Sequence, residues 1–92
     1  MFFVYMIRNN WNRLYVGTSS NPEKRLSDHN KKQGAYFTKT GVFHIVFKEE
    51  YPTLREARQR EVQIKKWSRV KKDVLIERHK KGLPTKIEKK ED

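Results

Sequence analysis

"FVYMIRNNWNRLYVGTS", residues 3–19, sets how this chain starts to fold. Two runs of β-branched and aromatic residues flank a stretch rich in asparagine, the composition of a hairpin. The first strand is expected over 2–8, FFVYMIR; with no polar alternation, it should be covered on both faces or nearly so. Asn9, Asn10 and Asn12 mark the turn, and LYVGTS at 14–19 is the returning strand. Tyr5 and Tyr15 would face each other if the turn centred on Asn10. Gly17 stands mid-strand, where a missing side chain suggests close approach of another backbone or a ligand.

Working outward, Asn21 suits a helix cap, Pro22 the first helical position and Glu23 the positive end of the helix dipole. That helix should stop near residues 30–32. A glycine-bounded loop, GAYFTKTG, follows at 34–41, then a third strand, VFHIVFKE, at 42–49. Thr53 with Glu56 forms a capping box. One helix is expected from there to about Trp67, and another from about Val70 to Lys81, with Gly82 and Pro84 as stop signals. The order β-β-α-β-α-α predicts a small α/β or α+β domain, a sheet covered by helices, over residues 1–82. Residues 83–92 are expected to be a disordered charged tail.

The 92 residues carry a net charge of +11. Such an excess suits a polyanion, most simply nucleic acid. A membrane surface would need an amphipathic helix with a wide apolar face, and none is legible. There is no cysteine, which excludes a disulfide scaffold and a thiolate zinc site. No signal peptide is legible, and no run approaches the roughly 20 apolar residues of a membrane span. The expected location is the cytoplasm.

Glu61 breaks the local pattern. At helical spacing Leu54, Ala57, Ile64 and Ser68 share one stripe, and Glu61 falls inside it. A carboxylate there needs a partner: either a salt bridge or snorkelling at the stripe's edge, or a metal ion, since Mg²⁺ is often held by one carboxylate with water and phosphate. Arg25 and His29, at i,i+4, share a face of the first helix. They are either a solvated face or a phosphate-binding fork beside an imidazole able to exchange a proton. Tyr5 and Tyr15 are either packing residues or chemistry.

Taken in order, FVY (3–5), YVG (15–17), Arg25, His29 and Glu61 resemble the GIY-YIG nuclease superfamily. GAYFTKTG and the stretch from REARQREVQIKKWSR to KKDVLIE look like its small standalone bacterial members, related to the N-terminal nuclease domain of the bacterial excision-repair excinuclease. The resemblance covers about residues 2–77. It implies a three-stranded antiparallel sheet flanked by helices. It also implies an endonuclease that hydrolyses nucleic-acid phosphodiester bonds with one divalent metal, Mg²⁺ or Mn²⁺, in DNA repair or recombination. Carried over, Glu61 would hold the metal and Tyr15 would be the general base or orient the attacking water. Arg25 would stabilise charge on the scissile phosphate. Tyr5 and His29 would hydrogen-bond the phosphate, the nucleophile or the other tyrosine. A free tyrosine has a pKa near roughly 10, so as a base it needs help from a cation. Three positions depart from the family pattern: Phe3 for the first motif's glycine, Thr18 for a lysine, and Asp73, a possible support to the site, for an asparagine.

Lys24, Lys31, Lys32, Lys65, Lys66, Arg69, Lys71 and Lys72 would follow a phosphate backbone, and Tyr36 and Trp67 could stack on bases, with a core role also open to Trp67. No element for reading sequence is legible, so binding should be weak and led by structure, with a targeting protein as a possible partner. DNA is expected over RNA, and a monomer over an oligomer. The alternative is a binding module of the same fold with little or no activity.

Overall fold

The computed structural model of the chain describes residues 1–33 and 42–86, the side chains of Lys32 and Gln33 excepted. Three strands, β1 (Phe2–Arg8), β2 (Leu14–Ser19) and β3 (His44–Tyr51), form one antiparallel sheet in the order β2-β1-β3. Three helices accompany it: α1 (Pro22–Gln33), α2 (Leu54–Lys65) and α3 (Arg69–Lys80). The fold is α+β, as the sequence predicts. No helix among the described residues is long and apolar enough to cross a membrane.

β1 is central, which explains its unbroken apolar character. Its alternate residues point to opposite faces. Val4 and Met6 join Phe47, Ala57, Ile64, Leu75 and Ile76 in a core under α2 and α3. Tyr5 and Ile7 join Phe43, with Leu26 of α1 packed against them on the other face. Both faces are therefore covered, α2 and α3 on one side and α1 on the other.

The hairpin register differs from the expectation. Tyr5 lies opposite Gly17, and Tyr15 lies opposite Ile7, so the two tyrosines are diagonal neighbours rather than a direct pair. The turn centres on Trp11, not Asn10. The cause is Asn9, whose buried side-chain oxygen accepts the amides of Trp11 (3.0 Å) and Arg13 (2.9 Å). Asn12 completes the turn at φ 66°, a left-handed conformation that asparagine tolerates.

β3 starts two residues later than expected because Phe43 is tied to α1 instead. Its amide donates to Asn30 Oδ1 (3.1 Å), and its carbonyl accepts from Asn30 Nδ2 (3.3 Å). At its far end β3 runs to Tyr51, paired with Phe2.

Asn21 Oδ1 accepts the Lys24 amide (3.2 Å), and Thr53 Oγ1 accepts the Glu56 amide (3.2 Å), so both expected caps form. α2 stops at Lys65, short of Trp67, because the amides of Lys66 and Trp67 turn back to Gln63 and Ile64 in a tightened last turn. Ser68 does not extend the apolar stripe. It caps α3, accepting the Lys71 amide at 3.2 Å. Leu54 also lies outside the core, and the stripe reduces to Ala57 and Ile64. The tail expected from residue 83 is tied down as far as Lys86: Arg78 donates to the Pro84 carbonyl (2.8 Å), Arg60 to that of Thr85 (3.0 Å) and Lys86 to that of Glu50. Gly34 to Gly41, Tyr36 included, and residues 87–92 lie outside the described residues.

Candidate active site

A cleft runs along α1 and turns around the β2 edge of the sheet. Its first part is lined by Tyr5, Ile7, Tyr15, Val16, Arg25, Asp28 and His29. A second hollow of about 520 Å³ shares Tyr5, Val16 and Arg25 and adds Gly17, Thr18, Arg58, Glu61, Val62 and Lys65. The five residues singled out for chemistry, Tyr5, Tyr15, Arg25, His29 and Glu61, all line this continuous surface.

They arrive from opposite sides of the sheet. Tyr5, Tyr15 and Gly17 face α1, which supplies Arg25 and His29 one turn apart. Thr18 faces the other way, towards α2 and Glu61. The two halves meet at Tyr5, Val16 and Arg25, which line both hollows. The close approach expected at Gly17 comes from a phenol ring, not from another backbone: Tyr5 lies over it, its Oη and Cζ 2.7 and 2.8 Å from where a Cβ would stand.

Glu61 is largely covered, its side chain 19 % exposed. Oε1 accepts a hydrogen bond from the Thr18 hydroxyl, and Oε2 pairs with Lys65 Nζ at 2.9 Å. Burial alone would raise the carboxyl's pKa. The Thr18 hydroxyl, the Lys65 ammonium and nearby Arg58 outweigh it and hold the group below its usual value.

At the other end Tyr15 is 43 % exposed and belongs to an aromatic trio. Its ring centroid is 5.6 Å from that of His29 and 5.3 Å from that of Phe43, while His29 and Phe43 meet edge-on at 4.8 Å. Arg13 Nη2 donates to Tyr15 Oη at 3.2 Å, and its guanidinium carbon lies 5.7 Å from the ring centroid.

The basic residues divide. Lys65 lines the cleft. Lys24 pairs with Asp28 at 3.5 Å, at the cleft's wall. Lys31 and Lys66 are exposed. Arg69 is engaged with Asp73 (3.1 Å) and with Asn12 Oδ1 (2.7 Å), so Asp73 is held on α3 and does not line the cleft. Lys71 lies 4.4 Å from the Trp67 ring centroid in a separate hollow, and Lys72 is half-buried on α3. Trp67 packs against the core, with Arg60 on its ring at 5.1 Å.

Sequence reasoning missed Arg13, Asp28, Phe43 and Arg58. Arg13 carried a signal, since it stands two residues before Tyr15, at the entry to β2. Arg58 is three residues before Glu61, one helical turn away. Phe43 and Asp28 reach the site through packing that no local pattern encodes.

A family model for the GIY-YIG catalytic domain matches residues 1–73. UPF0213 proteins of Staphylococcus aureus strains Mu3 and Mu50 are 40 % identical over 75 residues, spanning 80 % of this chain and 92 % of theirs. Among solved structures, the solution NMR structure of the UPF0213 protein BH0048 from Bacillus halodurans superimposes with a TM-score of 0.54 at 29 % identity, covering 84 % of each chain.

Proposed function

Because the chain belongs to the GIY-YIG catalytic-domain family, we propose that it is an endonuclease hydrolysing nucleic-acid phosphodiester bonds, with one divalent cation held at Glu61. DNA is the proposed polymer, in repair or recombination. The observation that carries this is the single cleft joining Glu61 to Arg25, Tyr5, Tyr15 and His29 around Gly17.

Glu61 suits a hard cation. Its carboxylate lines an open hollow, held below its usual pKa, and already has an ammonium group at 2.9 Å. Among the described residues there is no cluster of three or more His, Cys, Asp or Glu able to hold an ion. Mg²⁺ and Mn²⁺ tolerate that, since one carboxylate with water and substrate phosphate suffices. When bound, the cation would neutralise charge on the phosphate and the leaving oxygen.

The chain's own groups do the rest. Arg25 presents a planar fork of donors to the phosphate. Tyr15 Oη orients the attacking water or hydroxide, with the Arg13 guanidinium beside it. His29 and Phe43 fix the Tyr15 ring by tilted ring contacts. Tyr5 Oη, laid over Gly17, supplies a further hydrogen bond at the middle of the cleft. A phosphoryl transition state needs such positioning and charge neutralisation more than covalent help.

One observation favours a binding module instead: both oxygens of Glu61 already have partners, Thr18 and Lys65. A cleavage assay decides. Labelled single-stranded, duplex, flap and branched DNA is incubated with the protein and Mg²⁺ or Mn²⁺. Cleavage abolished by both Glu61→Ala and Tyr15→Phe is expected. Binding without cleavage on every substrate would leave the binding module.

A further inference from the structure

Trp11 is 63 % exposed at the tip of the β1–β2 hairpin, used by neither core nor cleft. Scattered exposed apolar residues are ordinary. This one is held differently. From inside, the Asn9 side chain accepts the amides of Trp11 and Arg13, the Asn9 amide donates to the Arg13 carbonyl (3.1 Å), and the Asn12 amide donates to that of Asn9 (3.0 Å). From outside, Arg69 of α3 donates to Asn12 Oδ1 at 2.7 Å. The tip is thus braced at both ends around a large aromatic ring left in solvent.

The next residues lead from that ring to the chemistry. Trp11, Arg13 and Tyr15 alternate along the chain as ring, cation, ring, and Arg13 donates to Tyr15 Oη. Four residues of chain span at most about 14 Å. The surroundings favour a polyanion: Arg13 and Arg69 carry the local charge, and the acid nearest Arg69 is the Asp73 it already pairs with.

We propose that Trp11 is a stacking platform for an unpaired base of a nucleic-acid strand, a few nucleotides from the phosphate at the Tyr15 end of the cleft. It selects strands with free bases over continuous duplex. Placing the strand at Tyr15 rests on the nuclease function proposed above. Every base has a π-face to offer an exposed indole, whereas bases inside a duplex are already stacked, so such a platform reads strand structure and not sequence.

The test uses the full chain without divalent metal. Trp67→Phe leaves Trp11 as the sole tryptophan, and its emission is followed on titration with a single-stranded oligonucleotide, an abasic strand of equal length and a blunt duplex. The base-bearing strand should quench Trp11, and the abasic strand should not. In the otherwise unchanged chain, Trp11→Ala should weaken single-strand binding about 5- to 100-fold and leave duplex binding and the amide spectrum unchanged. Equal quenching by the abasic strand, or undiminished single-strand binding by Trp11→Ala, would overturn the platform alone. Failure of the intact protein to bind any of the three would overturn both the platform and the nuclease function.

Discussion

Tyr5 lies across Gly17, with its hydroxyl oxygen 2.7 Å from where a Cβ on that glycine would stand. Gly17 is paired directly opposite Tyr5 in the sheet and has no left-handed φ, so its role is space, not backbone freedom. Both residues line the hollow that reaches Glu61 on α2.

Gly17→Ala should therefore force a buried ring to move. Overpacking of this kind costs about 1–3 kcal/mol, and the displaced phenol should lower cleavage too. Urea titration of Gly17→Ala, Tyr5→Leu and the double variant isolates the contact. The double variant should be more stable than the sum of the singles predicts, by about 0.5–3 kcal/mol. Strict additivity would show that the ring and the glycine are not coupled.

Much of this fold was legible because local signals and tertiary demands agreed. FFVYMIR has no polar alternation because β1 is sandwiched between α1 and the α2–α3 layer. Asn21 and Thr53 cap helices as their sequence context requires. The errors came where one side chain redirected the backbone. Asn9 captured two amides and moved the turn to Trp11. Asn30 captured Phe43 and delayed β3. Ser68 looked like a stripe residue at four positions from Ile64, yet it caps the next helix.

The site was legible as a set of residue types, but not as a geometry. Glu61 stood out as a carboxylate on an apolar stripe. Its partner Thr18 is 43 positions away, and nothing local announces the hydrogen bond between them. A cation is expected beside Tyr15, and Arg13, two residues earlier, is the one that makes the hydrogen bond.

Lys65 occupies one oxygen of Glu61 at 2.9 Å, where a divalent cation would compete with it. Its side chain is 56 % exposed, so the pair is worth only the few tenths of a kcal/mol of an exposed i,i+4 contact, about 0.3–0.5. Removing it also removes repulsion between the ammonium and the incoming ion. Lys65→Ala should bind Mn²⁺ at least about twofold tighter, read from the loss of free-ion signal in electron paramagnetic resonance. Unchanged or weaker binding would mean that Lys65 does not stand in the cation's place.

Glu49 anchors the sheet edge away from the cleft. Its side chain is 2 % exposed and takes two bonds from Arg60, at 2.9 and 3.2 Å, and one from the Tyr51 hydroxyl at 2.9 Å. Glu49→Ala takes the acceptor from the Tyr51 phenol and the paired carboxylate from the Arg60 guanidinium, which keeps its bonds to Gln63 and the Thr85 carbonyl, at a cost of about 3–5 kcal/mol. Burial first, then the neighbouring Glu49 carboxylate, pushes the Tyr51 hydroxyl's pKa well up. The folded state therefore holds this proton more tightly than the unfolded chain, where tyrosine titrates near roughly 10. Its contribution is complete below that pH and is lost as pH rises towards the folded value. Urea titrations from pH 8 to 11 on the wild type and Tyr51→Phe should converge with rising pH, because only the wild type loses this contribution. Curves that stay parallel to pH 11 would mean that Tyr51 ionises as easily in the folded protein as in the unfolded chain.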